Sequence, residues 1–393
     1  MIIKRELTKQ IKEAASEFPV IAVVGPRQSG KTTLVQTLFP QHTYISLEDH
    51  DIREIALADP RTFLADYPTK HGLILDEIQH APHLLSYIQT IVDREKKNGF
   101  FIITGSQNFL INQAVTQSLA GRIAILTLLP LSMSELESAS LLPERIETLI
   151  FKGSYPKAHL QKVSSKRLYA NYLRTYIERD VRQLKNIGNL LTFQKFMRLC
   201  ATRIGQELNL SSLGNECGIN HNTAKAWISL LEASYIIFLL SPYYKNFGKL
   251  LIKTPKLYFV DTGIACSLLK IGSAEALKEH YLRGGLVESF IIGDLLKQQH
   301  NLDEQPSLYF WRDKMGNELD CIIEASSYPI PLEIKASKTV TSDFLKGLNY
   351  WKSVTDTPDA PQYLVYGGSK NHTVQKTKIV GWQSIAGLIK KLG

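Results

Sequence analysis

The chain alternates between short apolar runs and longer stretches in which apolar residues recur every three or four positions. Residues 20–24, VIAVV, are wholly apolar and mostly β-branched, which predicts a buried strand. Two more such runs, GLIL at 72–75 and FFIIT at 100–104, each end in polar residues. Residues 1–18 mix charged and apolar positions at helical spacing. In the middle of the chain, Leu210, Leu213 and Cys217 share a helical face, and Gly218-Ile219-Asn220 makes a turn. Ala224, Trp227, Ile228 and Leu231 then mark the inward face of a second helix. This is a helix-turn-helix pattern, followed by an aromatic run placed to form a wing. The last third reads as an amphipathic helix carrying Glu288, three strands (SLYFWRD, NELDCII and PIPLEIK), a helix near 342–352 and the strand QYLVYGG. The fold class expected is α/β and multidomain, divided at 1–145, 146–260 and 261–393.

Composition changes this picture in three places. At 393 residues the chain is too long for one core. Its longest apolar runs, such as YIIFLL at 235–240, fall far short of the ~20 residues that cross a bilayer. With no signal-peptide core at residues 1–18, the expectation is a cytoplasmic protein without a membrane partner. Cys200, Cys217, Cys266 and Cys321 form no C-x-x-C pair, which argues against zinc and against a disulfide framework. Net charge is +9, and residues 151–203 hold twelve Lys or Arg against Glu178 and Asp180 alone. Such a segment is either the solvated face of a helical region or the footprint of a nucleic acid.

The chemistry begins after the first strand. Gly25-x4-Gly30-Lys31-Thr32 follows VIAVV and precedes a helix, the context that a phosphate-binding loop requires. Gly25 and Gly30 let the backbone curl around a phosphate, Lys31 neutralises phosphate oxygens, and the Thr32 hydroxyl ligates Mg²⁺. Pro26, Arg27, Gln28, Ser29 and Thr33 complete the loop, so ATP and Mg²⁺ are the expected cofactors. LDEIQ at 75–79 supplies Asp76 to hold Mg²⁺ through water and Glu77 to polarise the attacking water. Ser106, at the end of the third run, is placed to touch the γ-phosphate. Arg122 precedes another strand; it is either an exposed surface residue or an arginine finger for a neighbouring copy, and the second reading requires a homo-oligomer.

GPRQSGKTTL, LEDHDIREIALADPRTFL, LDEIQ, TGSQ and LAGR resemble the ATPase half of a widespread prokaryotic AAA-type family. YLRTYIERDVRQL at 172–184 and LYFWRDKMGNELDCII at 308–323 resemble that family's C-terminal region, to which no function is assigned. The resemblance implies an AAA-type ATPase, a winged-helix segment and a restriction-endonuclease-like terminal domain. In related initiator-type ATPases a position similar to Arg122 carries the trans-acting finger.

Glu333-Ile334-Lys335 alone carries little information, since Glu-x-Lys also occurs at Glu95–Lys97 in a polar helix. Its context carries more. A helix–strand–strand–strand–helix–strand order, with Glu288 on the first helix, Asp320 on the second strand and Glu333 and Lys335 on the third, resembles the PD-(D/E)xK nuclease core. Asp320 and Glu333 would hold Mg²⁺ or Mn²⁺ in an open cleft, Lys335 would orient a water, Glu288 would support the metal, and Ile334 would pack the other way. His221, Asn222, Thr223 and Lys225 open the second helix of the helix-turn-helix, the end that enters a major groove. Two functions are compatible with these features. One is an ATP-dependent DNA-processing enzyme; the other is a nucleotide-switched regulatory ATPase whose C-terminal domains bind DNA or protein without cutting.

Overall fold

The computed structural model of the protein describes residues 2–67, 70–106, 118–177, 189–243, 254–325, 328–355 and 360–392. The chain falls into two compact units. One comprises residues 1–131 with 233–235 and 300–304; the other comprises 132–232, 236–299 and 305–393. Residues of the expected middle and C-terminal domains therefore share a unit. Glu178 and Asp180, the acidic residues of the basic segment, lie outside the described residues, as does Tyr244 at the end of the aromatic run expected to form a wing.

The first unit is built on a parallel sheet of order β2-β3-β4-β1-β5, with β1 Val20–Val24, β2 Thr43–Ser46, β3 Leu73–Asp76, β4 Phe101–Gly105 and β5 Ile123–Thr127. Strand alternation explains why its central strands are apolar throughout. Val20, Ala22, Val24, Leu73, Leu75, Phe101 and Ile103 face one layer, where Leu84, Leu85, Ile88 and Val92 of the helix Leu84–Glu95 pack. Ile21, Val23, Ile74 and Ile102 face the other, against Ile11 and Ala14 of the helix Thr8–Glu17 and Leu34 and Val35 of the helix Lys31–Leu38. All five strands run the same way, so their C-terminal ends gather Gly25, Asp76 and Ser106 at one edge.

The second unit has an eight-stranded mixed sheet, β12-β13-β11-β10-β9-β8-β6-β7. Its strands are β6 Ile237–Pro242, β7 Lys256–Phe259, β8 Leu308–Arg312, β9 Glu318–Glu324, β10 Pro329–Lys335, β11 Gln362–Tyr366, β12 His372–Val374 and β13 Thr377–Gly381. The helix Arg283–Asn301, β8, β9, β10, the helix Lys346–Val354 and β11 follow one another in the expected order. Two helices, Leu210–Cys217 and His221–Ala233, are joined at Gly218, whose φ of +69° suits glycine. Trp227 packs edge-on against Phe193 and Phe196, with ring centres 5.1 and 5.2 Å away. Leu213 is buried as expected, whereas Leu210 and Cys217 are half-buried. The strands after this helix pair do not stand apart: β6 pairs antiparallel with β7 and parallel with β8, which extends the C-terminal sheet.

One histidine in this unit fixes a pH response. His159 Nε2 donates one hydrogen bond to the Gly153 carbonyl at 2.8 Å, while its Nδ1 is buried with no partner among the described residues. Burial, helped by Lys152 and Lys297, pushes its pKa down to about 4 from 6.5. The unfolded chain then binds more protons between these values, so stability is present above pH 6.5 and is lost as pH falls towards 4. His159→Gln is expected to lose less stability than the parent across that window, read as the urea midpoint at pH 7 and pH 4.5. His300, likewise pushed down to about 4 by burial, keeps part of the slope in the single variant.

Candidate functional site

The loop after β1 changes hand twice. Gly25 has φ +147°, Gln28 +63° and Gly30 +97°. A Cβ on Gly25 would lie 2.2 Å from the Leu128 carbonyl oxygen, so only glycine fits. Alternating backbone hand turns successive N–H groups towards one concavity, which binds anions. Lys31 opens the following helix and is 4% exposed. Its ammonium donates to the carbonyls of Gly25 at 3.0 Å and Pro26 at 2.9 Å, which fixes it across the loop. Arg27 pairs with Glu48 at 3.4 Å, Gln28 and Thr33 are exposed, and Ser29 is buried with its hydroxyl unpartnered among the described residues.

Asp76 ends β3 and is held by hydroxyls. Thr32 Oγ1 donates at 3.0 Å to both of its oxygens, Tyr44 donates at 2.9 Å, and Thr104 of β4 donates to Oδ1. Burial and the Asp76 charge push the Tyr44 phenol up to about 12, so Tyr44 stays a donor. Glu77 takes φ +58°, a left-handed turn that a non-glycine residue adopts at a cost of roughly 1 kcal/mol or more. Its N–H donates to Thr104 Oγ1 at 3.1 Å, and Gln79 Nε2 donates to its carboxylate and, at 3.0 Å, to Ser106 Oγ. Burial pushes the Glu77 pKa up, but Lys31, Gln79 and Arg27 outweigh it and hold the group below its ordinary value. Glu77 is thus an anion at neutral pH. Loop, orphaned Ser29 hydroxyl and Thr32–Asp76 pair fit a nucleoside triphosphate with a hard divalent cation.

Arg122 lies elsewhere. Ile123 pairs with Val20 at the start of β1, whereas the phosphate loop leaves its far end, ~13 Å away at strand rise. Its guanidinium forms a fork on Asp93, at 2.5 and 3.0 Å, and Nη1 donates to the Ala120 carbonyl at 3.1 Å. It does not reach its own chain's loop.

In the second unit, Glu318 and Asp320 alternate on β9 and Glu333 and Lys335 on β10, and Glu288 comes from the helix Arg283–Asn301. The expected residues meet. Lys335 Nζ lies 2.5 Å from Glu333 Oε1 and 4.0 Å from Asp320 Oδ2, and Asp320 accepts the Ile334 N–H at 2.7 Å. Ile334 is buried, as its alternation requires. The open cleft expected is not what forms: side-chain exposure is 13% at Asp320, 10% at Glu333 and 16% at Glu288. Burial and Asp320 raise the pKa of both Glu333 and Glu288, against the pull of Lys335 and Lys256 respectively. Glu333 Oε2 is buried without a hydrogen-bond partner among the described residues, the kind of orphaned oxygen that a hard cation satisfies. Yet no group of three or more His, Cys, Asp or Glu side chains among the described residues is arranged to hold a metal. Glu288 instead accepts from Tyr258 and from Lys256 Nζ at 3.2 Å.

Several of these residues escape a reading of the sequence. Gln79 and Thr104 lie inside motifs that were legible, LDEIQ and TGSQ. Tyr44 and Lys256 sit in strands with no motif, and a Lys opening an apolar strand reads as solvated. His221, Asn222 and Lys225 are exposed at the start of their helix, and Lys157, Lys162, Lys166, Arg167, Arg174, Lys195 and Arg198 are exposed in the basic segment.

Residues 17–137 match a family described as an AAA domain, and residues 143–275 and 283–385 match two families described as domains of unknown function. An uncharacterised protein of Mycobacterium tuberculosis is 29% identical over 385 residues, covering 96% of this chain and 83% of its own. One from Methanocaldococcus jannaschii is 24% identical over 408 residues, covering 90% and 82%. Among solved structures, a Walker-type ATPase of Pyrococcus abyssi is similar at 14% identity, 68% of this chain, 96% of its own and a TM-score of 0.44. A Holliday junction branch migration motor of Thermotoga maritima is similar at 15% identity, 59%, 87% and a TM-score of 0.30. The matched AAA segment contains the phosphate loop, Asp76 and Glu77. The N-terminal unit is an AAA-type P-loop domain.

Arg5 supports the loop from behind. Its guanidinium, 6% exposed as a residue, donates to the Ser29 carbonyl at 2.7 Å and the Leu129 carbonyl at 2.6 Å. Arg5→Ala is expected to weaken ATP binding roughly tenfold, the worth of one charge-assisted hydrogen bond. Arg5→Lys, which reaches one carbonyl, is expected to fall between the two in an ATP titration.

Proposed function

We propose that the protein binds and hydrolyses ATP with Mg²⁺ and uses that cycle to act on DNA, which the C-terminal carboxylate cluster cuts with a divalent cation. The node in which Thr32, Asp76 and Thr104 share hydrogen bonds while Thr104 also takes the Glu77 N–H carries the ATPase part. It locks the metal-holding and water-holding carboxylates into one geometry before any substrate arrives. Bound Mg²⁺-ATP supplies a γ-phosphoryl group activated for attack by water. Lys31 neutralises phosphate charge, Thr32 and Asp76 hold the cation, and the anionic Glu77 takes a proton from water, with Gln79 steadying its carboxylate. Ser106, joined to Glu77 through Gln79, is placed to report on what occupies the site. Arg122 serves a neighbouring copy, for which the Asp93 pair must open, so the active form is a homo-oligomer in this reading.

DNA is favoured by the exposed cations of residues 151–203 and by the exposed His221, Asn222 and Lys225 at a helix start. Asp320 and Glu333 would hold Mg²⁺ or Mn²⁺, with Lys335 beside them to orient water. The second reading, a nucleotide-switched regulator that binds DNA or protein without cutting, is favoured by one observation: Lys256 already pairs with Glu288 and Glu318.

Lys31→Ala is expected to weaken ATP binding, whereas Glu77→Gln retains it and loses about 10²–10⁴-fold in turnover, measured by nucleotide titration and phosphate release. Unchanged turnover in Glu77→Gln moves the base elsewhere. A second experiment separates the two readings: Mn²⁺-supported cleavage of linear, nicked and single-stranded DNA, with and without ATP. Cleavage that disappears in Glu333→Ala while ATP hydrolysis continues supports the first, and none in the parent supports the second.

A further inference from the structure

Two cavities lie side by side along the helix Ser165–Tyr176 of the basic segment, both within the second unit. One, of about 250 Å³, has walls of Phe151, Tyr169, Cys266 and Ile271; the other, of about 350 Å³, has walls of Leu173, Ile177, Met197 and Leu268. Ala170, Ser267 and Lys270 line both, so the two adjoin. The remaining charged groups at their walls are Lys166 in the smaller cavity and Arg174 and Arg198 in the larger; no carboxylate lines either among the described residues. All four cations are exposed, and Lys166, Arg198 and Lys270 have no ion-pair partner among the described residues. Lys166, Ala170 and Arg174 recur every fourth position, so they share one helix face and its two cations sit ~12 Å apart along the axis. Lys270 joins this row from just beyond the helix Thr262–Leu268. It takes φ +58°, in a turn closed by the Ile271 N–H donating to the Cys266 carbonyl at 2.9 Å, where glycine is the usual residue. The Tyr169 ring is fixed in its wall: its hydroxyl donates to the Lys152 carbonyl at 3.1 Å, and a Cβ on Gly263 would come within 2.3 Å of it.

From this arrangement we infer that the two cavities take bases of an unpaired DNA strand, whose phosphates run along Lys166, Lys270, Arg174 and Arg198. The inference rests on the DNA reading of the basic segment and adds the form of DNA that the segment holds. Four cations with no carboxylate among them mark an anionic guest. A row of cations two helical turns long suits a polymer of phosphates better than a single small anion. The apolar recesses between the cations then distinguish the kinds of strand. Duplex bases are stacked and paired, out of reach of such walls, whereas an unpaired base leaves water for aromatic and aliphatic surface. Size points the same way: the smaller cavity lies below the ~300 Å³ at which pockets for drug-sized ligands begin, so it suits a guest of one ring system. Lys270, in a turn that glycine adopts more readily, brings its charge to the place where the two cavities meet.

The test is fluorescence anisotropy on the full-length protein with three labelled probes of equal length: oligo(dT), an abasic oligonucleotide that keeps the phosphates, and a duplex. The parent is expected to bind oligo(dT) about tenfold more tightly than either of the others, the worth of one base moved onto protein walls. Ala170→Trp fills the junction of the cavities from an exposed helix position; it is expected to remove that preference and leave abasic binding unchanged. If Ala170→Trp does not fold, Ala170→Leu decides by the same criterion. Lys166→Gln/Lys270→Gln is expected to weaken binding of both single strands and to flatten the slope of log affinity against log salt by about 1.4, the share of two phosphates. Abasic or duplex binding as tight as that of oligo(dT), a preference that survives the cavity-filling change, or an unchanged salt slope in the double variant overturns the inference and leaves the DNA reading intact. So does thymidine monophosphate that displaces oligo(dT) as effectively as unlabelled oligo(dT) does, which assigns the cavities to a free nucleotide. No binding of any probe overturns both.

Discussion

A carboxylate removed from water must be met by hydrogen-bond donors or by a cation, and both candidate sites are organised around that requirement. Asp76 is met by the hydroxyls of Thr32, Tyr44 and Thr104. Glu77 is met by Gln79, Asp320 by the Ile334 N–H, Glu333 by Lys335, and Glu288 by Tyr258 and Lys256. Apart from Glu77 with Gln79 and Glu333 with Lys335, which are neighbours in sequence, these pairings bring together separate segments, so sheet register and charge satisfaction support one another. Thr104, for instance, can bond Asp76 only because β4 lies beside β3 in parallel register.

The same requirement explains what a single sequence makes legible. Local patterns carry the elements: VIAVV becomes β1, Gly218 becomes the break between two helices, and the helix–strand order around Glu333 is found as expected. Side chains that lie within a motif, such as Lys31, Asp76 and Glu77, are located by spacing. Partners that arrive from other segments are not. Tyr44 and Lys256 come from strands that pair across the sheet or cross over it, and nothing within a few residues of either announces a carboxylate. The placement of β6 and β7 is a similar case. Alternation predicts strands after the helix pair, but only the pairing of Ser241 and Pro242 with Tyr309 and Phe310 shows that they extend the C-terminal sheet.

Burial is the other quantity that sequence leaves open. Alternation correctly sends Ile334 one way and Glu333 and Lys335 the other, and a charged face reads as an open one. In the structure that face is covered, with Gly347 against the Glu318 carbonyl closely enough that a Cβ would lie 2.7 Å from it. Closure raises the proton affinity of Glu288 and Glu333 and makes lysine partners necessary. A cleft that is solvated and a cluster that is sealed have the same residue pattern.

The identity of the donors then separates the two sites. Asp76 is held by hydroxyls, which orient the carboxylate and leave its charge in place. In the C-terminal unit the carboxylates are held largely by ammonium groups, which orient them and neutralise them at once. A neutral donor can remain when a metal binds; an ammonium in the same position must move or be repelled. The carboxylate of the N-terminal site therefore keeps its full charge, whereas the charge of the C-terminal cluster is already answered by cations that the chain supplies.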